Sequence, residues 1–412
     1  MRPLNEAQRD VLDAITPLPT ERIELAVASG LALAEPIVAR HDLPPFANSA
    51  MDGYALIAAD IAATPVELRV LEDVAAGSVP TKLVTPGTAI KIMTGAPMPD
   101  GADSVVPVED TEPGAASVRI LATWPHGASV RPAGGDVTAG TTVLEIGERL
   151  TPPRLGICAS LGYGRPLVRR RPRVAIMSTG DEIVPPETAE LAPGKIRDAN
   201  RFTLQGNLED VGVEVLDFGI VGDDETILRD RLEAAAAEAD IVVSSGGVSM
   251  GEYDVVKSLL TELGSVDFWK IAMKPAKPFA FGRLGETPFF GLPGNPVSVA
   301  VAFEQFLRPA LLHMMGANHL FRPRYVGVLE ESVTTDPQKA VFLRVATTPG
   351  SDGLLRASLS GGQGSNILTA LAAADAYAVI PVGIGTVEAG AHVELEMMRM
   401  PESRTAAEVT HV

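Results

Sequence analysis

The chain has 412 residues, with 34 basic against 52 acidic side chains and a net charge of −18 when histidine is neutral. At about 150 residues per domain that length implies two or three domains with ample chain for a sizeable core. The negative field opposes any general attraction to nucleic acid or to an anionic membrane surface. The one cysteine, Cys158, excludes an internal disulfide and a multi-cysteine zinc site. No apolar run reaches the roughly 18 residues of a membrane span without glycine or proline breaks. The expectation is a soluble cytoplasmic protein with neither nucleic acid nor membrane as partner.

In chain order, Leu4, Ala7, Val11, Leu12 and Ile15 stand at helical spacing and are followed by an apolar stretch through Ala34, so a mostly helical start is expected. From His41 to about Gly140, short β-like runs such as 66–70 and 89–93 alternate with proline and glycine, which predicts a β-rich domain. Helix returns over 151–162, and 165–173, carrying Pro166 and Pro172 among arginines, reads as a connector. Apolar runs at 173–177, 213–220, 240–244, 265–272 and 287–291 then alternate with helical stretches such as 226–238, predicting a doubly wound α/β domain with a mainly parallel sheet. Short runs at 325–329, 340–346, 354–359, 377–380 and 392–397 predict a small C-terminal β-barrel or sandwich.

Ligands of an open α/β sheet bind beyond the carboxyl ends of its strands, where loops and helix N-termini converge. Five loops fall there: Ser178-Thr179-Gly180-Asp181-Glu182, Gly222-Asp223-Asp224, Ser245 through Asp254, Lys274-Pro275-Ala276-Lys277-Pro278, and Leu292-Pro293-Gly294-Asn295-Pro296. Gly246 and Gly247 let backbone amides approach an anion, although Ser249 and Glu252 also have the spacing of a helix capping box. Asp223 has the ordinary alternative of a helix N-cap. Glu182, Asp223 and Asp254 lie on loops that suit a hard divalent cation shared with substrate phosphate, magnesium before others. Helix-terminal charge is the competing reading. Phe268–Leu284 holds Lys270, Lys274, Lys277 and Arg283 with no acid, a candidate oxyanion site or a solvated basic edge. The six histidines are scattered, and neither a zinc-protease helix nor a phosphate-binding Walker loop occurs.

PPFANSAMDGYA, IMTGAPMPDGADSVVPVED, STGDE, SSGGVSMGEYD, KPAKPFAFG and GLPGNPVS, in that order, resemble the molybdopterin molybdenumtransferases, the bacterial MoeA proteins and the E domain of gephyrin. The resemblance implies a split, mainly helical N-terminal domain of residues 1–40 plus 141–170. A β-rich insert at 41–140, a molybdopterin-binding α/β domain at 171–318 and a β-barrel at 319–405 complete the implied architecture. It implies a homodimer whose cleft joins the α/β domain of one subunit to the β-rich domain of the other. The implied reaction uses adenylylated molybdopterin and molybdate as substrates, assisted by Mg2+, and releases AMP. By motif, Asp136, Glu182, Asp223 and Asp254 would surround metal and phosphoanhydride, with Glu182, Asp223 and Asp254 as metal ligands. Asp52 and Thr94 would enter from the partner. Lys274, Lys277 and Pro278 match the molybdate loop, joined by Arg344 and Ser365. Ser245, Gly246, Gly247 and Ser249, with Pro293 through Pro296, would hold the pterin phosphate. The molybdopterin adenylyltransferase and recipient molybdoenzymes are the expected partners. Two alternatives stand beside this reading: the adenylyltransferase itself, and a non-catalytic dimeric scaffold.

Overall fold

The computed structural model describes residues 1–247 and 255–400. The opening helix is Leu4–Ala14, and its buried face is Ala7 and Val11, four residues apart. The helical expectation fails beyond it. Residues 25–27 form a single 3-10 turn, and the buried Leu31, Ala32 and Leu33 follow in irregular backbone. That stretch spends its hydrogen bonds on distant partners: the Gly30 N–H donates to the Leu150 carbonyl at 2.9 Å and the Leu33 N–H to Glu148 at 3.0 Å. Tertiary pairing thus overrides a helix-compatible composition. Strand Thr20–Arg22 pairs with Leu167–Arg169 and Ile37–Val38 with Thr142–Leu144, so the segments flanking the insert fold against each other. Helix Pro152–Ser160 carries proline in its first turn, where a missing N–H costs nothing.

The insert contains a six-stranded sheet ordered Ser104–Pro107, Gly53–Leu56, Thr88–Ile92, Val66–Val74, Ser117–Ile120, Thr111–Pro113. Side chains alternate between its faces, Tyr54 and Leu56 entering one apolar cluster and Ala55 the other.

The α/β sheet is ordered Glu214–Val221, Arg173–Thr179, Ile241–Ser245, Thr287–Leu292, Pro278–Leu284, Gly264–Lys270. The first four strands are parallel; Pro278–Leu284 runs antiparallel to both of its neighbours. Val174 and Ile176 enter one core with Leu204 and Leu208, while Ala175 and Met177 enter the other with Leu228 and Leu232. Both faces are therefore covered, as parallel strands require. From Arg173–Thr179 the chain goes first to one neighbour and then to the other, which makes the gap beside Ile241–Ser245 the topological switch point. At the sheet's base the Arg170 guanidinium donates to both Asp240 oxygens at 2.7 and 2.5 Å, and the Arg173 N–H donates to the same carboxylate at 2.8 Å.

The final strands close on themselves: Ala340–Pro349, Leu355–Leu359, Arg324–Leu329, His392–Met397 and Ala376–Ile380, which pairs back to Ala340–Pro349. Closure removes free edges, and Val345, Ala357 and Leu395 fill the interior. Among the described residues, no helix is long and apolar enough to cross a membrane.

Candidate active site

Two clefts adjoin beyond the carboxyl ends of the parallel strands. One, of about 410 Å3, is lined by Thr179, Glu182, Ser245, Gly246, Gly247 and Asn200 among others; the second, of about 510 Å3, is lined by Lys274, Lys277, Ser298, Lys339, Gln363 and Ser365 among others. Pro278, Pro293 and Asn295 line both, so the two form one trough with distinct ends.

The glycine end is built by close backbone approach. Gly246 has φ +101°, and a Cβ there would lie 2.5 Å from the Thr179 carbonyl oxygen, which only glycine avoids. Its N–H donates to the Leu292 carbonyl at 3.1 Å. Asn200, buried at the head of helix Asn200–Val211, donates through Nδ2 to Ser245 Oγ at 2.8 Å and to the Gly294 carbonyl at 2.7 Å. One amide thus clips together the two loops that form this wall.

The lysine end rests on a tight turn. Ala276 is buried at φ +67°, a left-handed conformation unfavourable for any residue with a Cβ. Its N–H donates to Ser298 Oγ at 3.4 Å. The turn leaves Lys274 and Lys277 exposed on the cleft while Phe279 anchors the next strand, stacked on Phe306 with ring centroids 4.4 Å apart. Lys270 and Arg283 are not part of this end. Lys270 lines neither cleft, and Arg283 donates to the carbonyls of Glu286 and Ala14. Strand Met273–Lys274 pairs with Ala340–Val341, so the barrel forms the opposite wall.

Arg344 differs from its expected place as a ligand. It is 1% exposed, lines neither cleft, and donates to the carbonyls of Gly362 at 2.9 Å and Gly364 at 3.1 Å. It props the loop that presents Gln363 and Ser365. The Ser365 carbonyl accepts the Val297 N–H at 3.1 Å, which fastens that loop to the start of helix Pro296–Ala302, where Pro296 is the first residue rather than a lining group.

The carboxylates are more dispersed than the resemblance implies. Glu182 lines the glycine end. Asp223 is exposed and joined reciprocally to Asp181: the Asp181 N–H donates to Asp223 Oδ2 at 3.3 Å, and the Asp223 N–H to Asp181 Oδ1 at 3.0 Å. The helix N-cap is its neighbour Asp224, which accepts the Ile227 N–H at 3.0 Å. Ser249 and Asp254 lie outside the described residues. On the insert, Asp52 Oδ1 accepts the Thr94 N–H and hydroxyl, both at 2.7 Å, and these donors hold its carboxyl below the usual range. Asp136 is exposed, its N–H donating to the Leu43 carbonyl at 2.9 Å. Asp52, Thr94 and Asp136 line neither cleft. Among the described residues no three His, Cys, Asp or Glu side chains converge as a metal site. Asn200, Ser298, Lys339 and Gln363 carry cleft functions that the sequence did not disclose.

Architecture and cleft define a multidomain α/β protein that brings lysines and a glycine-rich amide wall to the two ends of one trough. Residues 2–162 match the family model described as the MoeA N-terminal region (domain I and II), 175–313 the probable molybdopterin binding domain, and 326–397 the MoeA C-terminal region (domain IV). The chain is 39% identical over 405 residues to molybdopterin molybdenumtransferase 2 of Mycobacterium tuberculosis, covering 96% of this chain and 99% of that one. It is 36% identical to the molybdopterin molybdenumtransferase of Haemophilus influenzae, covering 96% and 98%. The crystal structure of the molybdopterin biosynthesis MoeA protein from Pyrococcus horikoshii superposes with a TM-score of 0.80 at 32% identity, covering 96% of this chain and all of that one. This chain belongs to the MoeA family.

Proposed function

We infer that this chain is a molybdopterin molybdenumtransferase, which inserts molybdenum from molybdate into adenylylated molybdopterin and releases AMP in molybdenum cofactor biosynthesis. The observation that carries the reading is the shared wall of Pro278, Pro293 and Asn295, which sets a lysine-lined pocket directly against a glycine-lined one. The reaction needs that adjacency, because a dianion must sit beside an anionic phosphoanhydride. Lys274 and Lys277 offset the oxyanion's charge without solvent reorganisation. Gly246 and Gly247 hold the phosphate end through backbone, and Asn200 fixes the distance between the two loops. Proline beside each lysine limits the backbone freedom lost when the ammonium groups are held in place.

Magnesium fits a substrate-borne ion. A Mg2+ bound through one or two carboxylates, water and substrate phosphates needs no all-protein cage, and Glu182 with Asp223 on the adjoining loop has the right oxygen chemistry. When bound, the ion offsets charge on the phosphoanhydride. Asp52 and Thr94 act on the cleft of a partner subunit in a homodimer. What supports this is a carboxylate held ionised on an exposed face away from its own cleft. Asp136 joins that group. The preceding adenylyltransferase and the recipient molybdoenzymes are the expected partners in a cytoplasmic sequence of reactions.

An adenylyltransferase would need only the α/β unit, whereas here the barrel supplies Lys339, Gln363 and Ser365 to the lysine end. The decisive assay follows AMP release from adenylylated molybdopterin with magnesium, with and without molybdate. Molybdate-dependent release carries the reading. Consumption of ATP with unmodified molybdopterin would transfer the assignment to the adenylyltransferase, and no turnover of either kind would leave a scaffold.

A further inference from the structure

Lys339 belongs to the barrel, yet it lines the same cleft as Lys274 and Lys277. Its backbone position is set by ladder geometry: Ala340 pairs with Met273 and Val341 with Lys274, and the Ala340 N–H donates to the Ala272 carbonyl at 2.9 Å. Neighbouring strands lie about 4.8 Å apart, so the residue before Ala340 is held against the lysine turn. Lys339 is one-fifth exposed and its ammonium donates to Asp336, which also accepts the Gln338 N–H at 3.0 Å. The same Asp336 carboxyl is held low by Lys339 first, then by the Gln338 N–H, and it feels Lys274 across the seam as well. An ammonium has three donors; Asp336 takes one. Three lysine charges less the single Asp336 charge leave a double positive charge at this end, which matches that of a dianion.

We propose that Lys339 is the third cationic ligand of the oxyanion substrate, contributed by the barrel, so that binding molybdate fastens the barrel to the α/β domain. The proposal rests on the molybdenumtransferase reading and deepens it: the oxyanion is held across a seam between domains, not by the lysine turn alone. Asp336 is a positioning residue that keeps the ammonium at the seam in the absence of substrate.

The test is isothermal titration of sodium molybdate into the full chain and its variants, with hydrogen exchange followed on the same samples. Lys339→Gln is expected to weaken molybdate about tenfold, the effect of losing one close charge contact. Lys339→Arg should recover most of the affinity, and adenylylated molybdopterin should bind Lys339→Gln as it binds the unmodified chain. Molybdate should add exchange protection to 336–341 and 361–365 in the unmodified chain and not in Lys339→Gln. Unchanged molybdate affinity in Lys339→Gln, with Lys277→Gln weakened, would overturn the proposal and leave the activity standing. An unmodified chain that neither binds molybdate nor releases AMP in its presence would overturn the activity and the proposal together.

Discussion

Asn200 offers the sharpest perturbation of the trough, because one side-chain amide spans the two loops of the glycine end. Its Nδ2 group uses both hydrogens, on Ser245 Oγ at 2.8 Å and on the Gly294 carbonyl at 2.7 Å. Asn200→Ala removes both bonds and leaves the Gly294 carbonyl without this donor. At about 1 kcal/mol per bond the local cost is ~2 kcal/mol. If the loops must hold their separation in the transition state, kcat/KM for adenylylated molybdopterin falls about 30-fold, since about 1.36 kcal/mol is a factor of ten. Asn200→Asp is the discriminating variant. It is nearly isosteric, but it sets carboxylate oxygens against the Gly294 carbonyl and adds negative charge where an anionic phosphate is to bind. Its loss should exceed that of alanine and fall chiefly on KM, whereas a purely structural clip would penalise both variants alike in stability. The assay varies adenylylated molybdopterin at saturating molybdate, with urea unfolding of each variant as control. An unchanged KM in Asn200→Asp, or a loss confined to molybdate affinity in Asn200→Ala, would refute the assignment of this end to phosphate.

Gly246→Ala places a Cβ 2.5 Å from the Thr179 carbonyl at φ +101°; a cost of about 2 kcal/mol is expected, read as a lower unfolding midpoint and a raised KM for the adenylylated substrate. Unchanged values of both would remove the close-approach argument. Asp240 is half-buried; burial works to raise its pKa, but the Arg170 fork and the Arg173 N–H outweigh it and hold the carboxyl below its ordinary value. Its stabilising contribution is present above the unfolded-state pKa of about 3.9 and is lost as pH falls through the depressed folded value. Asp240→Asn should therefore destabilise at neutral pH by about 1–3 kcal/mol and converge on the unmodified chain in strong acid; a gap independent of pH would refute the ion-pair account. Co-refolding Asp52→Ala with Lys277→Ala should recover about a quarter of normal activity, because half of the random dimers in a twofold assembly carry one intact cleft. Recovery of none would mean that Asp52 serves its own subunit's chemistry or no chemistry at all.

The legible part of this protein is what local patterning encodes, and the illegible part is what only tertiary register creates. The strand Arg173–Thr179 and its polar loop could be read from an apolar run ended by Ser178 through Glu182, because burial on both faces demands that composition. Strand Pro278–Leu284 could not: a proline at its head, Gly282 and Arg283 disguise it, and its place between two strands comes from ladder pairing. The same distinction divides the site. Gly246 and Lys277 announce themselves by residue type in a turn-dense loop, whereas Asn200 has no local signal, and its two partners lie 45 and 94 residues away. Lys339 sits in a polar Asp-Pro-Gln-Lys turn that reads as solvated surface until Ala340 is paired with Met273. Arg344 shows the converse error. Its type suits an anion, but the strand carries it buried on the face opposite the barrel interior, and one guanidinium nitrogen donates to the carbonyls of Gly362 and Gly364 while Nε finds no partner among the described residues. An Arg344→Lys change, keeping charge but not the planar guanidinium that reaches both carbonyls, should accordingly loosen the 361–365 loop, which hydrogen exchange would detect with no substrate present; unchanged exchange there would return Arg344 to the role of a direct ligand.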